Sequence, residues 1–361
     1  MKIAIIGAGP IGCYAGYLLA KSGHNVSIYE RKKEIGLPIQ CTGLLTADFD
    51  QFGFDKSSFL VNTFSEIEVN SSNKKLVFSG KEYLVCRKKF DNYLANLALK
   101  AGAKIFFGSS FLRREKEDIV VAGGETGQEK IISPEIVIAA DGPLSNVAKS
   151  YGFYLDKRKN YYGIQAVVRG NFNPQRYRTY FGKETCPDLF AWIVPESKDI
   201  ARVGLATTKN PRFYFDKFML GKNFSVMEMQ AGTIPLYHPK QKMVRDNCYL
   251  LGDASGYVKA TTLGGIIPGM KQAQVLVDCI DNGKDYEVEL GTLRKRMNLH
   301  LRLRKVMNKF SDKDWDSVLK LLGQEKVRKV FEEHTRENPL PLVMKTLFRE
   351  PRFLKFVKYL F

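Results

Sequence analysis

The chain has 361 residues, 44% hydrophobic and 26% charged, enough for several packed units and too apolar for a mostly disordered polymer. Lys and Arg outnumber Asp and Glu by 56 to 38, a formal +18 that points to an anionic partner without saying whether it is lipid, nucleic acid or a phosphorylated small molecule. Six scattered cysteines without a CxxC and four separated histidines argue against a zinc site or a disulfide framework and for a reducing compartment. No uninterrupted apolar stretch approaches the ~20 residues needed to span a bilayer.

Residues 2–6 (KIAII) read as a buried parallel strand, followed by Gly7-Ala-Gly9-Pro10-Ile11-Gly12 and a helix to about Lys21. A second strand, Asn25 to Tyr29, ends at Glu30 and Arg31, with Glu30 roughly 18 residues past Gly12. This is the grammar of a dinucleotide-binding βαβ unit. The first glycine permits the turn, the second lets backbone approach a pyrophosphate, the third lets helix pack on sheet, and the acid accepts from ribose hydroxyls. Glu30 also argues against a 2′-phosphate in this pocket.

Further on, EIEVN, KKLVFSG and EYLVC within 65–86 alternate like strands, and Phe90 to Lys100 carries an apolar helical face. Residues 104–107, 118–121 and 131–139 read as more strands, the last running into Asp141-Gly142. Alternating stretches between 158 and 245 predict an antiparallel sheet. A buried strand then returns from Tyr249 into Gly252-Asp253-Ala-Ser-Gly, ahead of a glycine-rich helix start at Gly264-Gly265-Ile266. The expected class is α/β with an α+β substrate domain. Its expected divisions are a cofactor-binding first portion with inserted sheet elements (1–157), an antiparallel-sheet substrate domain (158–245), a returning cofactor segment (246–290) and a basic helical C-terminal region (291–361).

GAGPIG, AADG at 139–142 and YLLGDASG at 249–256, in that order, resemble the para-hydroxybenzoate-hydroxylase-like flavoproteins with two-dinucleotide-binding-domain folds. The resemblance implies FAD, with Asp253 and Gly252 at the ribityl portion, Asp141-Gly142 near the pyrophosphate, and Arg87 of VCRKKFD as a flavin contact. An ordinary turn, a helix cap and a solvated charge are the plainer readings of Asp141, Asp253 and Arg87. Gln40-Cys41-Thr42-Gly43 and Pro187-Asp-Leu-Phe190-Ala-Trp192-Ile-Val194-Pro195 are similar to the Cys-x-Gly and PxxYxWxFP segments of archaeal geranylgeranyl reductases, with Phe190 and Val194 replacing tyrosine and phenylalanine. Lys259, Ala260 and Leu263 depart from the family's glycine-rich region, and Leu263 does not freely adopt a glycine's φ.

That resemblance implies saturation of isolated C=C bonds in geranylgeranyl chains of ether phospholipids or prenyl diphosphate precursors. Cys41 is then a proton-path residue or a shaper of the flavin pocket, against a structural cysteine. Phe190 and Trp192 become tunnel walls, against plain sheet core. Electrons would come from reduced ferredoxin, a deazaflavin or a nicotinamide. The interleaved basic and apolar residues of GTLRKRMNLHLRLRKVMNKF and PLVMKTLFREPRFLKFVKYLF suggest peripheral contact with an anionic membrane at the cytoplasmic face, or a charged face packed on the body. Nucleic acid is not expected as a partner. An oxygen-using aromatic hydroxylase or epoxidase on the same scaffold is the other enzymatic reading, and a membrane-associated adaptor with a degenerate flavin fold the non-enzymatic one.

Overall fold

The computed structural model describes residues 1–123, 127–154 and 158–360. The expected domain boundary after 157, and residue 361, fall at or within the segments outside the described residues. In chain order the first elements are β1 (Lys2–Ile6), α1 (Pro10–Lys21), β2 (Asn25–Tyr29), β3 (Leu44–Thr46), β4 (Leu60–Asn70), β5 (Lys75–Val85) and α2 (Arg87–Lys100). There follow β6 (Lys104–Phe106), β7 (Ser110–Glu115), β8 (Asp118–Gly123), β9 (Gln128–Ile132), β10 (Ile136–Ala139) and α3 (Asn146–Ser150). The central part holds β11 (Asn160–Arg169), β12 (Arg176–Gly182), β13 (Cys186–Pro195), β14 (Ile200–Thr207), α4 (Pro211–Met219), β15 (Ser225–Pro235), β16 (Val244–Arg245) and β17 (Cys248–Leu250). The chain finishes with α5 (Ile266–Asn282), α6 (Tyr286–Glu289), α7 (Gly291–Met307), α8 (Asp312–Leu322), α9 (Glu325–Glu333), α10 (Pro339–Arg349) and a 3₁₀ helix, Pro351–Tyr359.

A six-stranded sheet in the order β16-β17-β10-β1-β2-β6 forms the first layer, parallel except at the β16 edge. Its strands β1 and β10 are buried almost end to end, as expected of parallel strands covered on both faces. The second sheet has eight strands, β15-β11-β14-β13-β12-β4-β5-β3, antiparallel except for the β12–β4 pair. Strands of residues 44–85 thus sit in one sheet with those of 160–235. A small hairpin sheet, β7-β8-β9, completes the set.

Several local expectations need correction. The stretch 131–139 is two strands in different sheets: Pro134 lacks the N–H a ladder needs, and the chain leaves β9 there before starting β10. KKLVFSG and EYLVC form the single strand β5, which pairs with β4 across register shifts near Leu60 and Phe64. Helix α2 begins at Arg87, before Phe90. Within the sheet region, α4 opens with Pro211 at its first turn, where the missing N–H costs nothing.

Helices α8 and α9 lie against β5 and β12, so the C-terminal region covers one face of the eight-stranded sheet. Helix α8 starts at a capping box in which Ser311 and Asp314 satisfy each other's backbone N–H. Trp315 on that helix packs on Phe181 of β12, ring centroids 4.4 Å apart, and on Phe310. Sheet and helices do not close completely, and the gap between them is the site.

Candidate active site

One continuous cavity of about 1010 Å³ runs from the C-terminal ends of β1 and β2, across the eight-stranded sheet, to the underside of α7–α10. Its polar end is a cradle. Gly9 is the N-cap of α1, no side chain caps the helix, and Ala8, Gly9, Pro10 and Ile11 line the wall, so the first-turn N–H groups of α1 are presented to whatever binds there. Gly12 lies behind that wall: a Cβ there would stand 2.1 Å from the Gly7 carbonyl oxygen, so α1 approaches the β1 turn only through a glycine. At the end of β2, the Glu30 carboxylate accepts from Ala8 N (2.8 Å) and Lys32 N (2.9 Å), which fixes it beside the cradle with acceptor capacity to spare. Arg31 is exposed and off the wall.

The opposite side of the cradle comes from the returning segment. Gly252, Asp253, Gly264, Gly265 and Ile266 all line the cavity, and Gly265 caps the 17-residue helix α5. Burial pushes the Asp253 carboxyl up, with Arg87 and Arg158 opposing, and its oxygens have no hydrogen-bond donor among the described residues. A half-buried acceptor of this kind on the cavity wall suits a ligand hydroxyl. Asp141 behaves otherwise. Its carboxylate accepts from the Ser145 hydroxyl, Asn146 N and Val147 N at the start of α3, behind the wall, while Gly142 and Pro143 reach the cavity.

The residues that depart from the resemblance form a clamp. Leu263 adopts φ +56°, a left-handed conformation costing about 1 kcal/mol for a residue with a Cβ. It is held there by Leu263 N to Lys259 O (2.8 Å), by Lys259 N to Gly264 O (3.2 Å), and by packing on the core of the sheet domain. Arg304 of α7, buried, donates to the carbonyls of Ala260 (3.0 Å) and Thr261 (2.5 Å). Lys259 itself, 5% exposed at its side chain, pairs with Glu337, which precedes α10 and also accepts from Thr46 Oγ1 at 3.1 Å. Burial alone would raise the Glu337 carboxyl, yet Lys259 and Arg336 hold it below the usual range. Arg336 in turn grips Glu82 of β5 with both terminal nitrogens and donates to Tyr177 Oη at 3.3 Å. Residues from β3, β5, β12, the 259–264 loop and the approach to α10 therefore share one buried charged cluster.

His300 of α7 adjoins this cluster. Its Nδ1 lies 2.7 Å from Thr261 Oγ1 and its Nε2 has no partner among the described residues. Burial first, then the Lys259 ammonium, push its pKa down to about 3. The folded state therefore keeps His300 neutral while the unfolded chain titrates near ~6.5. Below that pH the unfolded state binds the extra proton, so the stability is complete above ~6.5 and is lost as pH falls toward the folded value. Urea unfolding is expected to show a loss on the order of 3 kcal/mol at pH 4 from this group. His300→Gln is expected to flatten that acid arm, and an unchanged arm would contradict it.

Between cradle and helices, residues 40–43 cross the sheet. Gly43, at φ +78°, has no room for a Cβ, which would meet Val85 O at 2.5 Å. Thr42 is tied down twice, its carbonyl accepting from Arg202 Nη1 at 2.6 Å and its hydroxyl donating to Gln165 at 2.8 Å. Cys41 is half-buried on the cavity wall, its sulfur accepting from Gly43 N at 3.4 Å. Arg87 forms a two-point contact with Asp91 at 3.0–3.1 Å; burial opposes its charge, but Asp91 first, and Cys41 after it, hold the guanidinium above its ordinary value.

Beyond Cys41 the cavity is an apolar chamber. Phe190, Trp192 and Val194 alternate along β13 onto its wall, whereas Pro187 and Pro195, near the strand's ends, are off it. Ile67, Phe78, Phe181, Met307, Phe331 and Leu342 close it from the sheet and the C-terminal helices. Sequence reasoning missed this roof, Tyr177, and the Lys259–Glu337 and Arg336–Glu82 pairs. No local signal marked Glu337, one of several acids in the C-terminal region.

Fold and site together define a Rossmann-type dinucleotide-binding protein whose cofactor cradle opens into an apolar chamber on an antiparallel sheet. Residues 5–68 match the NAD(P)-binding Rossmann-like domain family. The structure superposes on a geranylgeranyl bacteriochlorophyll reductase-like protein from Thermoplasma acidophilum with a TM-score of 0.82 at 20% identity, covering 100% of this chain and 99% of the other. A flavin-dependent halogenase follows at TM-score 0.65 and 17% identity, covering 98% and 71%. In sequence, the digeranylgeranylglycerophospholipid reductase of Methanocaldococcus jannaschii is 29% identical over 89% of this chain and 90% of its own length. That of Methanococcus vannielii is 30% identical over 73% and 72%. The chain belongs to the digeranylgeranylglycerophospholipid reductase family.

Proposed function

We propose that this protein is an FAD-dependent reductase that saturates isolated C=C bonds in the geranylgeranyl chains of archaeal ether phospholipids or their precursors. The observation that carries this reading is the continuity of the cavity: the same space holds the cradle of Gly9, Glu30 and Asp253 and the chamber of Phe190, Trp192 and Val194. The donor set fits FAD. Free N–H groups of α1 suit a pyrophosphate, Glu30 suits the adenosine ribose, and half-buried Asp253, short of donors, suits ribityl hydroxyls at the N-terminus of α5.

FAD, reduced by an external donor such as ferredoxin, a deazaflavin or a nicotinamide, supplies hydride to one alkene carbon when bound there. The other carbon takes a proton. An isolated alkene has no carbonyl to stabilise a carbanion, so protonation leads or accompanies hydride transfer, and the transition state has carbocation character. The protein's part is to hold the alkene in register, exclude water and place the proton. Phe190 and Trp192 orient the chain. Cys41, on the wall between cradle and chamber, holds the proton at Sγ, and the Gly43 N–H fixes the thiol's position.

Cys41→Ala and Cys41→Ser test this assignment. Both are expected to keep the flavin and its photometric reduction by dithionite, while reoxidation of the reduced flavin by added lipid, followed anaerobically, slows by about 10²–10⁴-fold for Ala, the span of a lost general acid. Serine should recover little of that loss, because its hydroxyl is a far weaker acid. Wild-type rates in both variants would remove Cys41 from the proton path and leave it as a wall residue.

A further inference from the structure

The apolar residues of α10 do not all face the chamber. Pro339, Leu342, Val343, Thr346 and Leu347 line it, whereas Leu340, Met344 and Phe348 are 57%, 59% and 83% exposed. Residues four apart share a helix face, so the second set forms one outward ridge and α10 is apolar on two opposite sides. A helix with that distribution belongs in a core or in a membrane.

The 3₁₀ helix that follows repeats the pattern at a period of three, because side chains at i and i+3 eclipse in that geometry. Phe353, Phe356 and Tyr359 turn inward, Phe356 and Tyr359 packing on Phe310 at 4.9 and 5.4 Å between centroids. Leu354, Val357 and Leu360 turn outward, 55%, 39% and 55% exposed. Arg352, Lys355 and Lys358 form a third, exposed ridge, and Lys345 and Arg349 of α10 are exposed as well. The only acid in 339–360 is Glu350, which is buried and paired with Arg352 and Lys326. Helix α7, the other basic segment, buries Leu293, Met297, His300 and Arg304 and is part of the body.

We propose that α10 and the terminal 3₁₀ helix dock on an anionic lipid bilayer, seating the two outward apolar ridges at the acyl boundary and the cations among the phosphates, and that α10 is the wall past which a prenyl chain enters the chamber. The proposal rests on the reading of the chamber as a lipid-chain site. Charge selects the occupant. A second copy of this chain would bring like-charged ridges together, whereas an anionic leaflet neutralises Lys345, Arg349, Lys355 and Lys358 while the ridges insert, Arg352 being already paired with Glu350.

Flotation of the FAD-loaded full chain with neutral vesicles and with vesicles containing about 30% phosphatidylglycerol tests it. Anionic vesicles are expected to capture the protein, less so at high salt. Phe348→Ser with Leu354→Ser is expected to lower the partition constant about 100-fold. Lys345→Gln with Lys355→Gln and Lys358→Gln should erase the preference for anionic lipid. Both sets lie outside the chamber and should turn over detergent-dispersed lipid like wild type. Failure of the wild type to float, undiminished flotation of the serine variant, or a dimer that the serine variant disperses would each overturn the proposal. Flotation needs no turnover: intact flotation without lipid reduction would sink the functional reading alone, and turnover in detergent without flotation would sink the docking alone.

Discussion

Gly12→Ala is expected to abolish retention of FAD and to destabilise the fold. The added Cβ would meet the Gly7 carbonyl oxygen at 2.1 Å, and that atom is backbone, fixed by the β1 turn. Helix α1 can only tilt away, which costs roughly 1–3 kcal/mol of packing and withdraws its N-terminus from the pyrophosphate. A loss of FAD affinity of more than about 100-fold follows. Gly9→Ala supplies the contrast. Nothing lies within 4 Å of a Cβ at Gly9 and its φ is an ordinary −68°, so the apoprotein should unfold at the wild-type urea concentration. The same methyl would stand on the cradle wall, however, and FAD binding should weaken. Titration of flavin fluorescence beside urea unfolding separates the two effects; equal losses of stability in both variants would contradict the account of the cradle.

Breaking the Lys259–Glu337 pair from one side should cost about 3–5 kcal/mol, because it leaves a buried charge without its counterion. Both side chains are about 5% exposed or less, and Glu337 also neutralises part of the field of Arg336. Glu337→Gln and Lys259→Met are each expected to lower the urea midpoint strongly, and the double variant to recover much of the loss, since removing both partners avoids the uncompensated charge. The pair links the 259–264 loop of the cofactor cradle to the approach of α10, so Glu337→Gln should also weaken FAD binding at a site it does not touch. Single variants as stable as wild type would show that the cluster is hydrated and contributes little.

These two predictions draw on opposite kinds of information. The glycine turn, Glu30 and the Gly252-Asp253 segment were legible as parts of the cavity's polar end because a tight strand-to-helix turn constrains residue type at fixed spacing, and the constraint is local. Phe190, Trp192 and Val194 were legible for a similar reason: alternation along a strand puts them on one face whatever the partner strands. Asp141 was legible as part of a motif, but its side chain caps α3 and only its backbone neighbours reach the cavity. The charged cluster was not legible. Glu82, Lys259 and the adjacent Arg336-Glu337 come from three distant parts of the sequence, and a pairing across 78 residues depends on how helices seat on a sheet. Leu263 looked incompatible with its place in the glycine-rich loop, yet the loop holds it at positive φ through the Lys259 backbone and the clamp of Arg304 on the neighbouring carbonyls. The C-terminal basic segments read as one character in the sequence and divide in the structure, α7 into the body and α10 with the 3₁₀ helix toward the outside.

The most direct test of the central claim is anaerobic reaction of the FAD-loaded, dithionite-reduced protein with a geranylgeranyl ether phospholipid, read by mass spectrometry of the lipid. Successive gains of a hydrogen pair, without oxygen and with matching reoxidation of the flavin, are the predicted result. A reduced flavin that persists beside unchanged, accessible lipid would contradict the assignment.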